Sequence, residues 1–189
     1  MPATPWQEYP IGPCQVVFNG TSLGHTLGGV KVMVRQNVAR GTADATGDTT
    51  RQKVISGEEV KVNTALTETT MATLKSIIAG STEDGDVQSA LSMLTQVGRD
   101  LVTDAKMVIL KPLQGETAVD DKDWIYVPKA SITLNAEVNH HPTEKKVVGI
   151  EIEGHPVLAA DLASGGFLNA VTPAFVAGEL LRFGTQTDS

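Results

Sequence analysis

The chain has few of the residues on which many protein functions depend. Cys14 is its single cysteine, so an intrachain disulfide is impossible. Aromatic residues make up 4% of the chain, which leaves few rings to stack on bases or sugars. No apolar run approaches the roughly 20 residues of a membrane-spanning helix, and the first ten residues lack the basic and apolar regions of a signal peptide. The sequence therefore predicts neither a membrane anchor nor a secretory leader.

Basic charge is also scarce, because 15 Lys and Arg residues stand against 22 Asp and Glu residues and give a net charge of −7. Proteins that hold a phosphate backbone normally present a cluster of basic side chains, and the sequence contains no such cluster. Tight binding of nucleic acid is therefore disfavoured. A negatively charged wall repels phosphate, so the same balance is compatible with a passage that DNA traverses without binding.

Alternation of apolar and polar residues is the main pattern that the chain does have. Val30, Val32 and Val34 occupy every second position of one segment, and Val60 and Val62 do the same in another. This period of two is typical of half-buried strands. The same alternation predicts strands at 132–138 and 148–152, and short apolar segments predict further strands at 15–18, 106–110, 123–127 and 179–183.

One helix is expected among these strands. Thr67 is predicted to begin it, Met71, Leu74 and Ile78 form an apolar stripe, and Gly80 follows where a helix commonly ends. Many short strands with one helix predict a mainly β fold, a β-sandwich or open barrel of two sheets with one flanking α-helix and a long inter-strand loop.

The chain divides into three parts by composition. Residues 1–14 contain four prolines and predict an extended N-terminal arm. Residues 15–155 hold the predicted strands and helix and form one β-sandwich domain. Residues 156–189 are rich in small side chains, and we expect them to be an extension that packs on that domain or extends it.

The predicted inter-strand loop is the segment in which function is most expected. Residues 39–53, ARGTADATGDTTRQK, contain no large apolar side chain. Compact domains rarely keep a structureless loop of this length unless the loop contacts something else. The length and polarity of the segment therefore predict a role in interaction.

A catalytic serine is the first enzymatic alternative. Residues 20–24, GTSLG, match the G-x-S-x-G pattern of a nucleophile elbow around Ser22. That elbow requires a strand before the serine and a helix after it, whereas a glycine-rich segment and another strand follow here. A chance match in a turn is the better interpretation.

A metal site is the second alternative. His140, His141, Glu144 and His155 could supply ligands, but adjacent histidines on a strand or turn point to opposite sides. No HxH or HExxH spacing is present, and Pro142 marks the tip of a predicted hairpin. The sequence therefore predicts no enzyme, no cofactor and no metal.

The order of the segments resembles one known family. The strand GGVKVMV at 28–34 precedes DATGDTT at 44–50, VISGEEVKV at 54–62 and LTETTMATL at 66–74. MVILKP at 107–112, WIYVPKA at 124–130 and the hairpin through 147–152 follow. Taken together, these pieces resemble the major tail tube proteins of long-tailed bacteriophages.

The resemblance implies a virion structural protein of the phage tail, made in the host cytoplasm. Its subunits would form six-membered rings that stack into a tube, through which DNA passes without specific binding. The other partners implied are tape measure, terminator and baseplate proteins. The long loop would contact neighbouring subunits, and the candidate contact residues are Arg40, Asp44, Asp48, Arg51 and Lys53.

Three other functions stay open at this point. The first is a related ring-forming tail component, such as a distal tail or tube-terminator protein. The second is a non-enzymatic β-sandwich module that binds a ligand such as a carbohydrate, against which the scarcity of aromatic residues argues. A hydrolase that uses Ser22 ranks last.

Overall fold

Antiparallel β-strands make up most of the computed structural model, which describes residues 13–42, 50–67, 70–78, 81–83, 91–93, 97–114, 117–118, 121–135, 147–164, 166–169 and 174–184. The strands are β1 (Cys14–Phe18), β2 (Thr21–Thr42), β3 (Thr50–Leu66), β4 (Ser81–Glu83), β5 (Leu91–Met93), β6 (Lys106–Gln114), β7 (Thr117–Ala118), β8 (Ile125–Asn135), β9 (Val148–Gly154) and β10 (Arg182–Phe183). The mainly β class predicted from the sequence is confirmed.

Six of these strands close into a barrel. The hydrogen-bonded order is β8-β9-β3-β2-β1-β6, and β6 also pairs with β8, so the ring has no open seam. The sequence predicted a sandwich or open barrel of two sheets, and the β6–β8 pairing closes it instead. Alternate side chains from all six strands fill the interior, as the predicted period of two requires. The buried set includes Val16, Leu23, Val62, Leu66, Val108, Leu110, Val127, Val148, Ile150 and Ile152.

Two strands continue beyond the residues at which the sequence predicted them to end, 110 in β6 and 127 in β8, and each contains a proline. β6 was expected to stop at Pro112, but this residue lies opposite Cys14, and the Leu113 N–H then donates to the Pro13 carbonyl at 2.9 Å. In β8, Pro128 lies where the register with β6 shifts between Val127 and Ala130. Prolines are tolerated in sheets at such bulges, because no ladder hydrogen bond is required there.

The first helix, α1 (Met71–Ile77), begins one turn later than predicted. Thr67 does not cap it, because its N–H and its hydroxyl both donate to the His25 carbonyl of β2. Thr70 is the N-cap, and its hydroxyl accepts from the Thr73 N–H at 3.2 Å. A second helix, α2 (Ala159–Leu162), is a single turn. Within the described ranges, no helix has the length and apolar character needed to cross a membrane.

The segment after β9 packs on the outside of the barrel. Val157, Leu168 and Phe175 form a second buried cluster with Tyr126 of β8, and β10 pairs with the start of β8. The Lys129 ammonium lies 2.9 Å from the Asp161 carboxylate, and both side chains are largely buried. The outer face of β6 and β8 is therefore covered by the chain's own C-terminal segment.

The prediction of a loop over residues 39–53 is wrong at both ends of that segment. β2 continues to Thr42 and β3 begins at Thr50, so strand pairs occupy both ends of the segment that was expected to be a loop. Polar residues form these strands because a ribbon exposed on both faces needs no apolar alternation. Residues 43–49 lie outside the described residues.

Candidate assembly interface

The β2–β3 hairpin extends well beyond the barrel. β3 pairs with β9 only over residues 60–66, and β2 pairs with β1 only as far as His25. Beyond the Val34–Val60 pair, the described parts of the two strands pair only with each other. We call residues 34–42 and 50–59 the hairpin arm. Its β2 portion is about 30 Å long at roughly 3.4 Å per residue.

One face of the hairpin arm continues the face that points into the barrel. Residues directly opposite each other in an antiparallel pair share a face. Val38 lies opposite Ile55, because a bulge in β3 between Ile55 and Gly57 leaves Ser56 without a partner. Val34 and this pair therefore share one face, whereas Val54 belongs to the other face.

Apolar side chains of the hairpin arm are exposed where the same residue types in the barrel are buried. Val34 is 57% exposed, Val54 48% and Ile55 54%, whereas Val60 and Val62 are 1% and 0% exposed. Large apolar side chains that are grouped on one exposed element mark an interaction surface more often than isolated ones do. The arm thus has the composition of a surface that another molecule covers.

Within the arm, a polar cross-strand contact joins the two strands. The Gln36 side-chain amide donates to the Glu58 carboxylate at 2.7 Å, and the two residues lie directly opposite each other. This contact lies between the exposed pair Val38–Ile55 and the barrel. It fixes the register of the arm close to its base.

Two of the predicted contact residues form a pair of like charges towards the tip. Arg40 of β2 lies directly opposite Lys53 of β3, and both side chains are exposed. Like charges in directly opposed positions destabilise a two-stranded sheet. No ion pair joins either side chain to an acidic residue in the part of the chain that the structure describes. Among the described residues, the pair is therefore a positive site with no acidic ion-pair partner.

The other predicted contact residues are only partly located. Arg51 belongs to β3, two positions before Lys53, so it lies on a strand and not in a loop. Asp44 and Asp48 lie outside the described residues. Sequence reasoning missed Val34, Val38, Val54 and Ile55, all of which lie in or beside the segments predicted as strands. Their continued β-branched character was the available signal.

Ser22 and His155, the described residues of the two enzymatic alternatives, make hydrogen-bond contacts within the fold. Ser22 lies inside β2, directly after the turn at Asn19 and Gly20, and its hydroxyl accepts from the Gln15 side-chain amide at 3.0 Å. No helix follows it, so the nucleophile elbow is not formed. His155 is 2.9 Å from the Ser131 hydroxyl, and burial lowers the pKa of its imidazole.

No group of three metal-binding side chains occurs among the residues that the structure describes. His140, His141 and Glu144 lie outside that part of the chain. His155 therefore has no located ligand partner among the set that the sequence offered.

The outer face of β9 carries acidic charge and is not covered by the C-terminal segment. Glu151 and Glu153 lie two positions apart on this face, and Lys61 lies opposite Glu153. The Lys61 ammonium is 2.8 Å from Glu59 and 3.8 Å from Glu151. A hydrogen bond and the charge of Glu59 raise the pKa of Lys61. Arg35 lies opposite Glu59 and Lys31 lies opposite Asn63 on the same outer face, so three cationic side chains balance the three carboxylates.

Comparison with known proteins assigns no family to the chain. It matches no protein-family model, and no curated protein is significantly similar to it in sequence. The geometry of the described residues is therefore the basis on which a function is proposed.

Proposed function

We propose that the chain is a virion structural protein that assembles with copies of itself into the tail tube of a long-tailed bacteriophage. The observation that carries this proposal is the hairpin arm. It extends from a closed barrel with two unpaired edges, exposed apolar side chains and a positive pair at Arg40 and Lys53. An element of this kind is typical of a subunit whose partner is absent.

The energetics of the arm favour association. A two-stranded ribbon is marginally stable alone in water and needs a third strand or a packed surface. Full burial of a valine or isoleucine side chain contributes about 1.5–3 kcal/mol, so covering the exposed halves of Val34, Val54 and Ile55 contributes roughly 1 kcal/mol each. Pairing the free strand edges with a partner would also prevent the non-specific aggregation that exposed edges promote. A partner surface supplies both contributions.

A second copy of the chain is the partner that best fits the form of the arm. The arm projects beyond its own barrel, so it can reach a separate surface of a neighbouring copy. A projecting element that docks elsewhere on the next copy makes a heterologous contact, and repetition of that contact generates rings or open filaments. A tube of stacked rings contains both, because contacts close within each ring and repeat without closing from one ring to the next.

The charge of the chain supports a conduit for DNA more than a DNA-binding protein. Its net charge is −7, and the sequence holds no basic cluster of the kind that retains a phosphate backbone. The resemblance in the order of segments to tail tube proteins points to the same use. DNA would pass through the assembled tube without specific contacts.

The assembly state of the purified protein tests this proposal. We expect hollow rings or tubes by negative-stain electron microscopy, and light scattering that rises above a critical protein concentration. In a second protein, an Asn-Gly turn replaces residues 37–57 and joins Gln36 directly to Glu58, a connection that suits two opposed strand residues. This shortened protein should remain folded and monomeric.

A matched control separates loss of the arm from loss of any exposed apolar residue. Val176 is 62% exposed on the C-terminal segment, far along the chain from the arm. Ile55→Asp should abolish assembly, whereas Val176→Asp should leave it intact. Tubes formed by the shortened protein would refute the proposed role of the arm. Closed rings that never extend would indicate a tube-terminator protein, and a strict monomer at all concentrations would favour a ligand-binding module.

A further inference from the structure

The turn between β1 and β2 contains the one Asn-Gly dipeptide of the sequence. Phe18 and Thr21 lie opposite each other, so Asn19 and Gly20 alone form the turn. Their φ angles are 48° and 78°, and a two-residue hairpin turn with two positive φ angles is of type I′. Both residues are exposed. Among the described residues, no atom beyond the chain neighbours would lie within 4 Å of a Cβ added to Gly20, so this side of the turn is open.

An asparagine that precedes a glycine can react with its own backbone, because no side chain hinders the glycine nitrogen. That nitrogen attacks the asparagine Cγ, a five-membered succinimide ring forms, and the Cγ–Nδ2 bond breaks. The side-chain nitrogen takes up the proton that the glycine nitrogen loses and leaves as ammonia. Water then opens the ring at either carbonyl carbon. One product is aspartate, and the other is isoaspartate, in which the main chain runs through Cβ and Cγ.

The geometry of the turn holds Asn19 near the conformation that ring closure needs. The ring requires a ψ of about −120°, which with a positive φ is the conformation of the first central residue of a type II′ turn. Types I′ and II′ both suit the twist of a hairpin, and they differ by rotation of the peptide between the two central residues. Gly20 permits this rotation, because a residue without a Cβ atom adopts either sign of φ.

A hydrogen bond fixes the peptide on the other side of Asn19. The Asn19 N–H donates to the Met107 carbonyl of β6 at 2.9 Å, which ties the turn to a third strand. The peptide after Asn19 carries the attacking nitrogen, and it leads into the open space at Gly20. The reactive peptide can therefore rotate while the strands on both sides of the turn stay paired.

We propose that Asn19 is a site of spontaneous deamidation and that its isoaspartate product loosens the β1–β2 turn. Isoaspartate adds one atom to a main chain that connects Phe18 to Thr21 through only two residues. Phe18 is 8% exposed and belongs to the barrel core, so a shift of the turn reaches buried side chains. The normal aspartate product keeps the turn, because aspartate tolerates a left-handed φ as asparagine does.

Mass spectrometry of native protein aged in mildly alkaline buffer tests the reaction. Trypsin releases residues 1–31, in which Asn19 is the only asparagine, and residues 36–40, in which Asn37 precedes Val38. Asn37 is also exposed and is the matched internal control. We expect deamidation of the first peptide to be at least about tenfold faster, because the branched Cβ of Val38 crowds the attacking nitrogen.

Two results of this measurement would overturn the proposed reaction. Equal rates in the two peptides would show that Asn19 has no special reactivity. If Asn19 deamidates in protein unfolded with urea but stays intact in native protein, the folded turn blocks the reaction.

The stability of the aged protein tests the effect of isoaspartate, which enzymatic methylation of its carboxylate counts. In urea, we expect a fraction of the protein equal to the isoaspartate content to unfold at a lower midpoint. Asn19→Asp, which carries the normal product, should keep the midpoint of fresh wild type. An aged sample rich in isoaspartate that unfolds at the wild-type midpoint would show that the turn accommodates the extra atom. None of these results depends on ring or tube formation, so a failure here leaves the proposed function standing.

Discussion

Two apolar surfaces, one on the outside of the barrel and one on the hairpin arm, differ in whether they are buried. On β6 and β8, Ile109 and Tyr126 pack under the C-terminal segment, which contributes Val157 and Phe175. On the hairpin arm, apolar residues of similar size remain about half exposed. Both surfaces are antiparallel strands with comparable side chains, so residue type does not explain the difference. Among the described residues, the C-terminal segment covers the first surface and no segment covers the second, which is the contrast that the proposed assembly would explain.

Truncation of an apolar side chain on each surface tests this comparison with the largest expected effect. Phe175→Ala removes a side chain that is 6% exposed and should lower the free energy of unfolding by roughly 3–5 kcal/mol. Ile55→Ala removes one that is 54% exposed and should change it by no more than about 0.5 kcal/mol in the monomer. Urea denaturation below the assembly concentration measures both values. A similar loss for the two variants would show that the arm is packed within its own chain.

The second-largest loss of stability is expected from breaking the buried ion pair between β8 and the C-terminal segment. Lys129 and Asp161 are joined at 2.9 Å, with 7% and 14% of their side chains exposed. Asp161→Asn leaves the Lys129 ammonium buried without its counter-charge and should cost about 3 kcal/mol. The same urea denaturation measures the loss. The largest change should appear in the C-terminal segment, which limited proteolysis would detect as earlier cleavage.

A second substitution distinguishes lost charge pairing from lost packing. Lys129→Met in the Asp161→Asn background removes the uncompensated ammonium and keeps an apolar chain of similar length. We expect this double variant to recover most of the stability. If it is as unstable as Asp161→Asn alone, the ion pair does not fasten the segment, and the cover depends on apolar contacts alone.

Low pH should weaken the packing of the C-terminal segment on the barrel in the wild-type protein as well. Burial alone would raise the pKa of Asp161, but hydrogen bonds from Lys129 and from the Leu158 N–H outweigh it and lower the pKa. Because the folded pKa lies below the unfolded value of about 3.9, the contribution is present above that pH and is lost as pH falls through the folded pKa. The urea midpoints of the wild type and Asp161→Asn should therefore converge in acid. A constant difference down to about pH 2.5 would contradict this linkage.

The sequence predicted individual strands well where burial alternates along them. Val60, Val62 and Leu66 show the period of two because one side of β3 faces the core and the other faces solvent. The sequence predicted ends at 110 in β6 and at 127 in β8, but both strands continue through a proline, because a proline is compatible with a strand wherever the partner strand requires no N–H. Local sequence does not contain that information, since register is set by the neighbouring strand.

The segment in which the sequence predicted contacts between subunits was expected to have a different structure. Arg40 and Lys53 were expected on a loop, and they face each other across two strands. Pattern recognition depends on a buried face, and the hairpin arm has none within its own chain. The strand character of residues 39–42 and 50–53 was therefore not recognisable from the pattern of apolar residues.

The smallest expected effect lies in the arm itself and sharpens the comparison most directly. Gln36→Ala removes the 2.7 Å hydrogen bond to Glu58, which is exposed and lies outside the core. It should change global stability by no more than about 0.5 kcal/mol, because an exposed hydrogen bond exchanges with water. Amide hydrogen exchange should nevertheless quicken between Val34 and Arg40 in the monomer, where the two strands support only each other. Barrel amides such as that of Val62 should be unaffected. If protection of the arm is already as high as that of the barrel and does not depend on this contact, the arm is a stable part of the isolated subunit and requires no partner to cover it.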